Sequence, residues 1–179
     1  MNHIIRTAIP SDAAALSELA RETFADTYAA YNTAEDLRLH LQRTYTEERQ
    51  RNEISNPAWL TLLVECDGKI AGFAQGGFTS APSCLANQAP PPRKPWEILR
   101  FYVHRSWHGR GLAQMLMSGA IAGATAAGAD AVWLGVWCRN ERACAFYLKS
   151  GYRQIGETSF TLGQDAQRDW VMFRPLAGL

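Results

Sequence analysis

Leu99-Arg100-Phe101-Tyr102-Val103-His104-Arg105-Ser106-Trp107-His108-Gly109-Arg110-Gly111-Leu112-Ala113 is the stretch on which the reading of the whole chain turns. Its apolar and aromatic first half has the composition of a strand, and after the glycines Leu112, Met115, Leu116 and Ile121 recur near helical spacing until Gly128 breaks the pattern. A strand therefore passes through a glycine-bearing turn into the start of a helix. The first N–H groups of a helix have no partner inside it and sit at the positive end of its dipole, so such a turn suits a phosphate or pyrophosphate. Gly109 and Gly111 would let the anion approach the backbone, although a glycine that merely relieves strain would look the same. Neither a G-x-x-x-x-G-K-[ST] loop nor a G-x-G-x-x-G turn after a strand occurs, which argues against nucleoside triphosphatases and nicotinamide dehydrogenases.

Before this stretch, Ile4 to Ile9 reads as a strand, and Pro10-Ser11-Asp12 opens a helix with Leu16, Leu19 and Phe24 on its apolar stripe. Thr33-Ala34-Glu35-Asp36 has the spacing of a capping box and starts a second helical region, irregular as far as Asn56-Pro57. Trp59 to Glu65 and Lys69 to Phe78 flank an Asp67-Gly68 turn and form a hairpin. Thr79 to Pro95 is too rich in proline for an element and reads as a loop leading into the strand Glu97 to Val103. After the central helix come a strand at Ala131 to Trp137, a helix at Asn140 to Ser150 stopped by Gly151, and a closing antiparallel pair, Tyr152 to Leu162 with Asp169 to Arg174. The expected order is β-α-α-β-β-β-α-β-α-β-β in a single domain spanning 1–179.

Composition narrows the function classes. Eighteen Lys+Arg balance seventeen Asp+Glu, with no block of like charge, so nucleic acid is not an expected partner. No stretch approaches the roughly 18 uninterrupted apolar residues that span a bilayer, and the start lacks the apolar run of a signal peptide, so a cytoplasmic protein without a membrane partner is expected. Cys66, Cys84, Cys138 and Cys144 form no C-x-x-C pair with matching histidines, so no metal is expected.

His108-x-x-Gly111-x-Ala113, preceded by Phe101-Tyr102-Val103, resembles the cofactor motif of the GNAT N-acetyltransferase superfamily, in which Gln or Arg is followed after two residues by Gly and then by Gly or Ala. His108 departs from that first position. The resemblance implies an α/β (α+β) fold with a mixed, mostly antiparallel central sheet and helices on both faces. It also implies acetyl-CoA bound along Phe101, Tyr102 and Val103 and on the turn His108, Gly109, Arg110, Gly111, Leu112 and Ala113. Asn140-Glu141-Arg142-Ala143-Cys144-Ala145-Phe146-Tyr147-Leu148-Lys149-Ser150-Gly151-Tyr152 resembles the second signature of the same family. There the counterpart of Asn140 contacts the pantetheine arm, and that of Tyr147 gives a proton to the departing thiolate. The chemistry is apt, because a phenol with a pKa of about 10 stays protonated at neutral pH.

An amine nucleophile must lose a proton before it attacks. Glu97 stands six residues before Val103, where histone-type members of the superfamily place their base, and strand alternation would put positions 97, 99, 101 and 103 on one side. The same residue also reads as a solvated strand-end carboxylate, or as the first link of a water relay. Phe24-Ala25-Asp26-Thr27-Tyr28 through Leu37 resembles bacterial polyamine acetyltransferases, which makes Tyr28, Tyr31 and Glu35 acceptor-groove candidates and a small amine, polyamine or peptide amine the expected partner. A homodimer is left open, as is a non-catalytic module that senses acyl-CoA.

Overall fold

A computed structural model describes residues 3–162 and 165–176; the rest of the expected 1–179 span lies outside the described residues. Strand β1 (His3–Thr7) leads into helix α1 (Ala13–Tyr28), which buries Leu16, Leu19, Ala20 and Phe24 along one stripe. The second helical region is two helices, α2 (Ala34–Thr44) and α3 (Glu47–Ser55), where one irregular stretch was expected. Each has its own threonine cap: the Thr33 hydroxyl accepts from the Asp36 amide at 3.1 Å, and the Thr46 hydroxyl accepts from the Arg49 amide at 3.1 Å. Between them Tyr45 leaves helical geometry and is 3% exposed, so its burial fixes the corner.

The hairpin of β2 (Trp59–Cys66) and β3 (Lys69–Gly77) follows, then β4 (Pro95–Val103), α4 (Leu112–Ala126), β5 (Ala131–Trp137), α5 (Glu141–Lys149), β6 (Arg153–Leu162) and β7 (Asp165–Pro175). The seven strands form one sheet in the order β1-β2-β3-β4-β5-β7-β6. All neighbours are antiparallel except β4 and β5. The mixed, mostly antiparallel sheet thus matches the expected fold class, with α3 as an additional helix.

Two cores form on the two faces. On one, α4 lays Leu112, Leu116, Met117, Ala120 and Ala124 against Leu62, Ala74, Ile98, Val132 and Leu134, and α5 adds Cys144 and Tyr147. Each fully buried leucine there contributes about 1.5–3 kcal/mol. The small residues of α4 let it lie close: a Cβ on Gly123 would meet Leu60 Cδ2 at 2.2 Å. On the other face α1, α2 and α3 cover Leu63 and Phe73.

The register of β3 on β4 shifts between Gln75 and Gly76: Gln75 pairs with Arg100 but Gly76 with Ile98, so Leu99 is an extra residue in β4. Gly76 makes room for this bulge, since a Cβ there would stand 2.2 Å from Trp96 Cη2 and 2.3 Å from the Glu97 carbonyl oxygen. Gly76→Ala is therefore expected to lower stability by about 1–3 kcal/mol, measured as a lower urea midpoint; an unchanged midpoint would show that the bulge does not depend on this glycine.

Candidate active site

Parallel strands β4 and β5 stay together only through Pro95↔Ala131, Trp96↔Val132 and Glu97↔Trp133. Beyond those rungs β4 continues on β3 and β5 continues on β7, so the facing edges of 98–103 and 134–137 have no strand between them. The His104 amide donates to the Ala71 carbonyl at 2.8 Å, on the β3 side. Backbone groups alternate sides along a strand, so Tyr102 also faces β3, and the amides of Phe101 and Val103 face the opening. A wedge-shaped cavity of about 700 Å³ results, within the usual range for a ligand site.

At its mouth lies the quoted turn. Gly109 and Gly111 take φ of 75° and 80°, a left-handed conformation that side chains resist. Gly111 is the N-cap of α4, and the first amide of that helix to find an intrahelical acceptor is that of Met115, 3.1 Å from the Gly111 carbonyl. The amides of Leu112, Ala113 and Gln114 precede that bond, and all three residues line the cavity. Leu112 buries its side chain in the core and offers its backbone only. Arg105, Arg139 and Arg142 also line the cavity, Arg105 in an ion pair with Asp26 of α1 at 3.4 Å. These arginines were not anticipated as site residues; the signal was their placement within or next to the two quoted motifs, after β4 and β5 and in the first turn of α5.

His108, the departure from the family pattern, is tied down on both ring nitrogens. Its Nε2 donates to the Val103 carbonyl at 2.7 Å, which leaves Nδ1 as the acceptor for the Arg142 guanidinium. Arg110 lies outside the cavity, its guanidinium 4.9 Å from the centre of the Trp107 ring. Of the turn 108–113, Arg110 is thus the member that does not line the opening.

Deeper in the wedge, helix α5 brings Tyr147 against Phe101. Their ring centroids are 6.1 Å apart, and Phe146 and Tyr152 flank Tyr147 at 5.5 and 5.8 Å. Burial disfavours the phenolate and pushes the Tyr147 pKa upward, with Tyr152 and Tyr28 adding to the effect, so the hydroxyl keeps its proton throughout the neutral range. Asn140 lines the cavity too, but its Oδ1 is already used as the cap of α5, accepting from the Ala143 amide at 3.1 Å. The expected two-turn spacing does bring Asn140 and Tyr147 to one cavity.

Tyr28 and Tyr31 stand at the far end, with ring centroids 5.4 and 4.7 Å from that of Trp137. Trp137 was not among the expected site residues, because at the end of an apolar strand it reads as core. Glu35 is a correction: it lies on the solvent side of α2, in an ion pair with Arg38 at 2.7 Å, away from the cavity. Neighbouring Asp36 is occupied at the helix start, where its carboxylate accepts from the Thr33 hydroxyl at 2.8 Å.

Glu97 needs correcting as well. The bulge at Leu99 breaks the expected alternation, so Trp96 and Ile98 share the α4 side with Phe101 and Val103, whereas Glu97 turns to the opposite face in the last rung before the strands part. It is half-buried and does not line the cavity. Burial raises its pKa, and the neighbouring Thr79 hydroxyl draws it partly back. The proline-rich loop packs Leu85 on Ala131, Trp133, Val171 and Phe173.

The chain groups unpaired amides, arginines and a buried phenol in one wedge, a combination that fits a diphosphate linked to a thioester. Comparison with known proteins points the same way. The profile described as Acetyltransferase (GNAT) family matches residues 15–152. An uncharacterized N-acetyltransferase of Lactobacillus delbrueckii subsp. lactis is 33% identical over 158 residues, 88% of each chain. Another, of Mycobacterium tuberculosis, is 29% identical over 93% of this chain and 99% of its own. Among solved structures, the PaiA N-acetyltransferase of Thermoplasma acidophilum in complex with coenzyme A has a TM-score of 0.79 at 24% identity, covering 98% of this chain and 100% of its own. Among the described residues no helix is long and apolar enough to cross a membrane, and no group of His, Cys, Asp and Glu is placed to hold a metal ion. The chain belongs to the GNAT family of acetyltransferases, enzymes that take their acetyl group from acetyl-CoA.

Proposed function

We propose that this chain is a single N-acetyltransferase domain that moves the acetyl group of acetyl-CoA to a primary amine, small or peptidic, by direct attack in a ternary complex. The observation that carries this reading is the parting of β4 from β5 with Tyr147 at its base and the α4 amides at its mouth. Acetyl-CoA supplies an acyl group already activated as a thioester. The amides of 109–113 hold its diphosphate, with Arg139 and Arg142 as counter-charge. Asn140 and the Val103 backbone border the pantetheine path.

The Phe101 amide points into the opening and steadies the negative charge that grows on the carbonyl oxygen. As the amine nitrogen bonds to the carbonyl carbon, the carbon–sulfur bond breaks, and Tyr147 gives its hydroxyl proton to the leaving sulfur. Tyr147 recovers a proton from the newly bonded nitrogen, directly or through water. The amine arrives from the opposite end, between Tyr28, Tyr31 and Trp137, whose aromatic faces attract a cation.

Purified protein should release thiol from acetyl-CoA only when a primary amine is added. Binding without release across a broad panel of amines and peptides would leave a sensor of acyl-CoA in place of an enzyme. Tyr147→Phe is expected to lower kcat at least about tenfold while the thermal shift with coenzyme A stays as in wild type. Full turnover in that variant would remove Tyr147 from proton transfer. Gly111→Val should act on the other end: forcing a β-branched residue to a φ of 80° costs about 1–3 kcal/mol. It is also expected to diminish the coenzyme A shift, which for a saturating ligand at a hundred times its Kd amounts to about 2.7 kcal/mol of stabilisation.

A further inference from the structure

The sheet face opposite α4 holds a carboxylate with one buried oxygen that no described residue meets. Asp169 on β7 is paired in register with Trp137 on β5, so the two side chains stand on one face. Val171 and Phe173, two and four residues further on, cluster with Trp133 on that same face. Among the described residues the Asp169 Oδ1 atom is buried without a hydrogen-bond partner. An acceptor left unmet in this way costs stability, and a catalytic role is one of the physical reasons for which such a group is kept.

Asp169 is not itself a lining residue of the cavity, but unlike Glu97 it stands directly behind a glycine that is. Gly135 precedes Trp137 by two residues on β5, is exposed, and lines the wedge. The Asp169 Oδ2 atom is 3.5 Å from the point where a Cβ on Gly135 would stand. The missing side chain therefore leaves a window between the carboxylate and the acceptor end of the cavity, framed by Trp137, Tyr28 and Tyr31.

We propose that Asp169 is the group that receives the acceptor ammonium over Gly135 and takes the proton that frees its nitrogen for attack. This rests on the amine-acetyltransferase reading above and names the base that reading lacks. The balance is simple. The ammonium loses one proton to the carboxylate, the neutral nitrogen forms the carbon–nitrogen bond as the carbon–sulfur bond breaks, Tyr147 protonates the sulfur and recovers the second nitrogen proton, and Asp169 returns the first to water. The acceptor class follows: a primary amine that is a cation in solution, since only a cation offers a charge partner to this carboxylate.

Electrostatics support the placement. Burial pushes the Asp169 pKa up to about 6, close to the neutral range where a general base works best. The titratable groups coupled to it are Tyr28 from α1 and Cys144 from α5, both of them neutral there. Its strand partners Trp137 on β5 and Thr158 on β6 are uncharged, and Glu97 lies further along the same face, in the rung of Trp133.

Asp169→Asn keeps the shape and removes the base. With a strongly basic primary amine at pH 7, kcat/KM is expected to fall at least about tenfold, and the wild-type loss of activity as pH drops through about 6 should vanish from the profile. With 2,2,2-trifluoroethylamine, which is largely unprotonated at neutral pH, the variant should come within about threefold of wild type, because no proton then needs removing. The coenzyme A thermal shift should be unaltered. Equal losses on both amines would mark a structural role and overturn the proposal, as would a loss below about twofold on the basic amine. Should the variant not fold, the wild-type profile decides: an acid limb near the stated pKa supports the base, and a flat profile overturns it. If wild type itself releases no thiol with any amine, the enzyme reading fails first and this one with it.

Discussion

Everything that works in this molecule depends on β4 leaving β5. Parallel neighbours usually stay hydrogen-bonded along their length, since each unmet backbone group inside a protein is costly. Here the pairing ends after Glu97↔Trp133, two residues before the extra residue Leu99. The bulge bends β4 away while β3 continues to hold it, and the amides of Phe101 and Val103 are left facing an opening. The backbone groups that an intact sheet would consume line the cavity instead, and these are the groups the proposed cofactor path uses.

Such a bend needs an anchor behind it. Arg100, the residue after the bulge, is 7% exposed and reaches the other face, where its guanidinium meets both Glu53 oxygens from α3, the Gln75 side chain at 2.6 Å and the Tyr45 ring at 5.1 Å. Burial alone would raise the Glu53 pKa, yet the hydrogen bond and charge of Arg100 bring it below the usual carboxylate range. A buried ion pair is a weak source of net stability but a strong determinant of geometry, because breaking it strands a charge. Its position beside Leu99 ties the bent strand to α3, which packs on α1, the helix whose residues line the cavity.

Charges of both signs line the cavity: Arg142 is held at the α4 turn by His108, Arg105 is ion-paired with Asp26 of α1 at 3.4 Å, and Asp169 lies behind Gly135. Tyr147 is buried and keeps its proton through the neutral range, as the acid role proposed for it requires.

Local chemistry wrote much of this into the chain. The strand-turn-helix at 99–113 follows from apolar composition, two glycines and helical spacing, and the Asn140 to Gly151 run follows from a cap, an amphipathic period and a glycine stop; each depends only on neighbours a few residues away. The positions of Phe101, Val103, Gly109, Gly111, Asn140 and Tyr147 around one cavity were legible for that reason. What was not legible depends on register between distant strands. A bulge shifts every later side chain to the other face, so the side on which Glu97 lies was decided by how Gln75 and Gly76 meet Arg100 and Ile98, and no alternation rule applied to β4 alone contains that information. Likewise Glu35 looked like a groove residue until Arg38 claimed it, and Asp169 looked like the start of an ordinary strand until the sheet placed it opposite Trp137 and beside Gly135. Short-range periodicity determined which elements exist and what the cofactor turn is made of; long-range pairing decided which carboxylate stands beside the site.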